Sequence, residues 1–124
     1  MDDILRRWLA AINDHDVDAL ARLMAPDFVF VDSLGNEVRG AETMTTGWRA
    51  YFTMCPDYWI RVRDSAPTPD ATVMTGEAGG TIDGTPWRIP AAWRIVIRDG
   101  QVVEFRVFAD NKPVYDILAR RSRS

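Results

Sequence analysis

The sequence has one cysteine, one histidine and one lysine in 124 residues. The lone Cys55 makes no internal disulfide and belongs to no multi-cysteine zinc site. His15, with acids scattered about it, lacks the ligand spacing of a metal centre or a histidine-based triad. It lies in the polar elbow Asn13-Asp14-His15-Asp16 and reads as an exposed turn residue. Basic runs are missing from the body of the chain and the formal net charge is −3, which argues against a nucleic-acid partner. No apolar run approaches the roughly 18 residues of a membrane span. The start, Met1-Asp2-Asp3-Ile4, lacks the basic-then-apolar order of a signal peptide, so a cytoplasmic location is expected. No glycine-rich phosphate loop is present, and no nucleotide or other cofactor is expected.

What is present suits one globular domain spanning residues 1–124, with 47% hydrophobic and 27% charged residues. Ile4, Leu5, Trp8, Leu9 and Ile12 form an apolar stripe on a first helix over Asp2 to Asn13. Asp16 caps a second helix carrying Val17, Leu20, Leu23 and Met24, which Pro26 ends. Asp27 to Ser33 is rich in β-branched and aromatic residues and predicts a strand, with Phe28, Phe30 and Asp32 on one face. Leu34 to Glu37 turns the chain. A third helix follows Gly40 and carries Met44, Trp48, Tyr51, Phe52 and Cys55, closed by Pro56.

From Trp59 the pattern changes to strands. Residues 59–66, 71–80, 87–97 and 102–109 alternate or are β-rich, and Asp83-Gly84 and Asp99-Gly100 mark two hairpins. Glycines at 76, 79 and 80 relieve crowding where the sheet bends. Pro113 starts a closing helix through Leu118, and Arg120 to Ser124 reads as a frayed basic tail. Helices gathered early and strands gathered late give an α+β class, with helices on one face of a bent antiparallel sheet.

The segments Trp8-Leu9-Ala10-Ala11-Ile12-Asn13, Asp16-Val17-Asp18-Ala19-Leu20 and Leu23-Met24-Ala25-Pro26-Asp27-Phe28 resemble the start of the SnoaL-like polyketide cyclase and ketosteroid isomerase group. That group belongs to the superfamily of nuclear transport factor two. Gly40-Ala41-Glu42 leading to Trp48-Arg49-Ala50-Tyr51-Phe52 is similar to its third helix, and Arg98 to Asp110 to its last hairpin. The resemblance implies a cone-shaped roll, in which a curved sheet wraps the N-terminal helices around a deep apolar pocket. It also implies a homodimer through the outer sheet face. The fold hosts isomerases, cyclases, dehydratases, epoxide hydrolases and non-catalytic dimers, so chemistry has to come from the site.

Asp32 is the first candidate. Beside Phe28 and Phe30 a carboxylate loses hydration, its pKa is expected to rise, and it becomes a useful general base for a proton next to a carbonyl. In the steroid isomerase branch the base holds the same place, which here reads Phe30-Val31-Asp32-Ser33-Leu34-Gly35. The competing reading is a strand-end aspartate that caps the turn through Gly35. The isomerase's first-helix tyrosine falls on Trp8, and its second acid on Ala92 or Trp93, so its oxygen donors are missing unless Tyr51 or Tyr58 substitutes. Asp110 resembles the acid/base residue of the cyclase branch, but it equally suits a cap for the closing helix. Arg106 shares its strand parity and could pair with it or orient an acidic ligand.

Trp48, Trp87 and Trp93, with Trp8, Phe28, Phe30 and Tyr51, are the candidate contacts for a small hydrophobic ring-bearing ligand, although core packing explains Trp8 and Trp48 as well. Three functions follow: cofactor-free carboxylate chemistry giving isomerisation, cyclisation or dehydration; a non-catalytic ligand-binding or dimerisation module; and an epoxide-hydrolase-like set of Asp32, Arg94 or Arg106, and Asp110. The other strand arginines read as an outer face studded with guanidinium groups.

Overall fold

The structure is a computed structural model that describes residues 2–121. Helix α1 (Asp3–Asn13) starts where the Asp2 carboxylate accepts the Ile4 N–H at 2.7 Å, and it buries Leu5, Trp8, Ala11 and Ile12. Asp16 likewise accepts the Ala19 N–H at 3.0 Å and starts α2 (Val17–Leu23). Helix α3 (Ala41–Met54) buries Met44, Trp48 and Phe52, and α4 (Lys112–Arg121) buries Val114 and Ile117. The strands are β1 (Met24–Val31), β2 (Glu37–Arg39), β3 (Trp59–Pro67), β4 (Thr72–Ile82), β5 (Thr85–Arg98) and β6 (Gln101–Ala109). They form one open sheet in the order β2-β1-β6-β5-β4-β3.

Four details of the helices and strands differ from the sequence expectation. The three residues of β2 fall in and just after the expected turn; too short for a visible alternation, they pair with β1 from Val29 opposite Arg39 to Val31 opposite Glu37. The sheet is mixed, because β1 runs parallel to β6 while the other neighbours are antiparallel. Pro26 does not separate α2 from the strand but lies inside β1. The register between β1 and β6 shifts between Met24 and Val29, so proline's missing N–H falls where the ladder is already interrupted. Arg120 and Arg121 continue α4, and Arg121 pairs with Asp83 of the β4–β5 hairpin. The rest of the expected frayed tail lies outside the described residues.

The long strands curl because glycine permits close approach. A Cβ on Gly76 would stand 1.8 Å from the Arg61 carbonyl oxygen, so only glycine allows β3 and β4 to pair there. The inner face then closes over the helices. Alternation along β5 places Trp87, Ile89, Ala91, Trp93 and Ile95 inside and Arg88, Pro90 and Arg94 outside. Outside, Glu77 holds both Arg63 and Arg88, and Arg94 pairs with Glu104.

His15 is not the exposed turn residue expected. It is half-buried with φ +54°, stacks on Phe52 at 4.2 Å, and donates its Nε2–H to the Tyr58 carbonyl at 2.7 Å. A carbonyl can only accept, so that nitrogen carries the proton. Two residues earlier, Asn13 accepts the Ile60 N–H at 2.8 Å and donates to the Ile60 carbonyl at 3.1 Å. The polar elbow thus fastens the start of β3 and fixes the chain at Tyr58.

Candidate functional site

Between the inner sheet face, α3 and α4 lies a cavity of about 330 Å³. Its sheet wall is Trp87, Trp93, Phe105 and their smaller neighbours, while α3 presents Met44, Gly47, Trp48, Tyr51 and Met54. These α3 positions recur at three- and four-residue intervals, which is one side of a helix. Val114, Tyr115 and Leu118 of α4 close another side. Polar groups are few. Asp32 and Ser33 reach it from the end of β1, and Asn111 from the end of β6, where the Asn111 side-chain amide donates to the Ser33 hydroxyl at 2.7 Å.

Among the described lining residues Asp32 is the sole carboxylate, and none is Lys, Arg or His. A buried anion would find no cationic partner there, so the wall disfavours an anionic ligand. Tyr51 and Tyr58 meet edge to face at 4.8 Å, and Tyr58 stacks on Trp87 at 6.1 Å. Burial pushes both phenols well above their usual pKa, so they remain O–H donors across the physiological range. The Trp48 indole N–H is buried without a hydrogen-bond partner.

The sequence candidates separate into three groups. Phe30, Asp32, Trp48, Tyr51, Trp87 and Trp93 line the cavity. Trp8 and Phe28 do not: both are 0% exposed and lie behind the wall, where Trp8 packs on Phe28 at 5.7 Å, Phe105 at 5.4 Å and Trp48 at 5.9 Å. Helical spacing gives a residue's side but not its depth, and here the depth differs.

Asp110 and Arg106 lie on the other side of β6. Phe105, Val107, Ala109 and Asn111 line the cavity, so the alternate residues face away. Asp110 is exposed and accepts the Lys112 N–H at 3.1 Å, capping α4. The Arg106 guanidinium lies over the Phe108 ring at 5.3 Å. The Asp32–Arg–Asp110 set therefore does not assemble: Arg94 pairs with Glu104 on the outer face, and Asp110 does not share the cavity with Asp32. Extending the parity of Phe105 and Val107 would have selected Asn111 instead. Ser33 and Gly47 were also missed; Ser33 carries no sequence signal that sets it apart, whereas a glycine inside an apolar helical pattern is one.

Asp32 bears out its reading as a turn cap and also borders the cavity. Its Oδ1 accepts the N–H groups of Leu34 and Asn36, each at 2.9 Å, and its Oδ2 accepts the Asn36 side-chain amide at 3.2 Å. These bonds fasten the β1–β2 turn. A carboxylate offers about four lone-pair sites, so three bonds leave one on Oδ2. Asp32 thus caps a turn, borders the cavity and keeps an acceptor free.

Among the described residues, no group of three His, Cys, Asp or Glu side chains gathers where it could hold a metal ion. No described helix is long and apolar enough to cross a membrane.

The SnoaL-like domain model matches residues 5–105. The chain belongs to the SnoaL-like domain family. A search of curated proteins gives no match. Solved structures similar to this SnoaL-like chain include a protein assigned as a SnoaL-like polyketide cyclase from Shewanella denitrificans, with a TM-score of 0.82 and 16% identity over 94% of this chain and 95% of that one. A Catenulispora acidiphila protein with a ketosteroid isomerase-like fold, in complex with trimethylamine, gives 0.78 and 22% over 87% and 85%. A Mycobacterium tuberculosis LEH-like epoxide hydrolase gives 0.78 and 16% over 94% and 84%. At these identities the likeness establishes the α+β fold of the nuclear transport factor two type, and no chemistry.

Proposed function

We propose that this SnoaL-like protein binds a small neutral ring-bearing carbonyl compound in the cavity and that Asp32 moves a proton next to the carbonyl without a cofactor. The observation that carries this reading is a cavity of about 330 Å³ whose apolar, aromatic wall includes a single carboxylate among the described residues. In the proposed step a C–H bond next to the carbonyl breaks. The proton passes to Asp32 Oδ2, and the electron pair moves through the new C=C bond onto the carbonyl oxygen. The phenols of Tyr51 and Tyr58 are the donors available to that oxygen. Return of the proton at another carbon gives isomerisation; attack of the enolate on a second carbonyl gives cyclisation; loss of a neighbouring hydroxyl gives dehydration.

The test is exchange of the protons beside the carbonyl of 2-tetralone, followed by NMR in deuterated buffer. The wild type is expected to exchange them faster than buffer, and Asp32→Asn to lose about 10²–10⁴-fold of that acceleration. The substituted amide retains an oxygen for the two backbone N–H groups, so the variant is expected to fold.

The second reading, a binding module without catalysis, is favoured by the three turn bonds that occupy Asp32. It predicts saturable 2-tetralone binding with exchange no faster than buffer, and that result overturns the catalytic reading. Self-association through the outer sheet face belongs to either reading, because Phe108 is 49% and Val73 36% exposed there. Sedimentation velocity of the wild type against Phe108→Asp tests it, with a shift from dimer to monomer expected.

A further inference from the structure

Gly47 stands in the middle of α3, where glycine weakens a helix. Glycines in such places usually serve a left-handed backbone, or leave room for another part of the protein. Neither applies. Gly47 is not among the positive-φ residues, and an added Cβ would meet only the Met44 sulfur, at an ordinary 3.6 Å and from the same helix. Gly76 and Gly79 are the contrast, since a Cβ on either would fall within 3 Å of another strand. Yet Gly47 lines the cavity between Met44 and Tyr51, and the other α3 residues there are all large. The space it leaves belongs to the cavity and not to the protein's own packing.

We propose that Gly47 sets the size of the ligand, letting one ring of a two-ring neutral compound lie directly against the α3 backbone. This rests on the reading of the cavity as a ligand site and adds the ligand class to it. The dimension permits it: about 330 Å³ lies in the range of pockets that take small organic molecules, with room for a fused bicyclic ketone or phenol.

The experiment measures melting temperature together with calorimetric binding of phenol (one ring) and 2-naphthol (two fused rings) to the full chain. Gly47→Ala is expected to melt about 3–5 °C higher, because alanine favours the helix, while binding 2-naphthol at least threefold more weakly. Gly47→Leu is expected to lose 2-naphthol at least tenfold and to keep phenol within twofold. Undisturbed 2-naphthol binding by Gly47→Leu overturns the role of Gly47, as does equal loss of both probes or a lower melting temperature for Gly47→Ala. A wild type that binds neither probe overturns instead the underlying reading of the cavity.

Discussion

The two faces of β4, β5 and β6 alternate residue by residue, and they obey different physics. Trp93 is 1% exposed and faces the cavity; Arg94, the next residue, faces out and pairs with Glu104. Inside, stability comes from apolar area and contact, which salt does not screen. Outside, it comes from charge pairs in which both partners keep part of their hydration. The comparison teaches that the protein spends the aromatic side chains of these strands on one side, Phe108 excepted, and leaves part of that side unfilled. The unfilled part is where Gly47 and the rim residues Asp32, Ser33 and Asn111 stand.

Neighbouring substitutions test that contrast most severely. Trp93→Ala is expected to cost about 3–5 kcal/mol in urea unfolding, since it removes a buried ring beside an existing void. Gly76→Ala is expected to cost about 1–3 kcal/mol, or more, on either account of the faces, because the added methyl strikes the Arg61 backbone and no side chain can move aside. Arg94→Ala is expected to cost no more than about 1 kcal/mol and to lose even that in high salt. Equal costs at positions 93 and 94 would erase the distinction.

The faces also titrate at opposite ends of the pH scale. Burial raises the Tyr51 and Tyr58 phenols, so the folded state holds their protons more tightly than the unfolded chain. Their contribution is complete below the ordinary value of 10.0 and is lost as pH rises past it. Cys55, raised by burial, adds in the same direction from about pH 9.0. On the outer face the guanidinium groups of Arg88 and Arg63 hold the Glu77 carboxyl at about 2. Its contribution is complete above 4.5 and is lost as pH falls toward about 2. Urea midpoints measured across pH are expected to show both limbs. Tyr51→Phe with Tyr58→Phe flattens the alkaline one, and Glu77→Gln the smaller acid one.

Much of the fold was legible because its signals are local. The cap at Asp16, the two Asp-Gly hairpins and the alternation from Trp87 to Ile97 each need only a few adjacent residues. What escaped depends on distant partners. Three residues of β2 show no period, and nothing near β1 says that its long neighbour will be β6 or that the two run parallel. The site divides in the same way. Parity put Asp32 on the cavity side of β1 with Phe30, as strand geometry requires. The same rule, followed from Phe105, pointed to Asn111, but resemblance and the chemistry of a carboxylate drew attention to Asp110. Trp8 and Trp48 carry the same helical signature, and only packing shows that one plugs the core while the other borders open space.

The parallel pairing of β1 with β6 bears on the order of assembly. Phe30 lies beside Phe105 and Val31 beside Arg106, with β3, β4 and β5 all intervening in the chain. A nascent polypeptide can zip β3 to β4 and β4 to β5 as hairpins, each closing a short loop. Its earliest strand must meanwhile wait for its parallel partner, packed on the helices but paired only with the three residues of β2, until the latest strand arrives. Docking of β1 is then the late, slow event, and until it happens the aspartate at its end has no chamber to face.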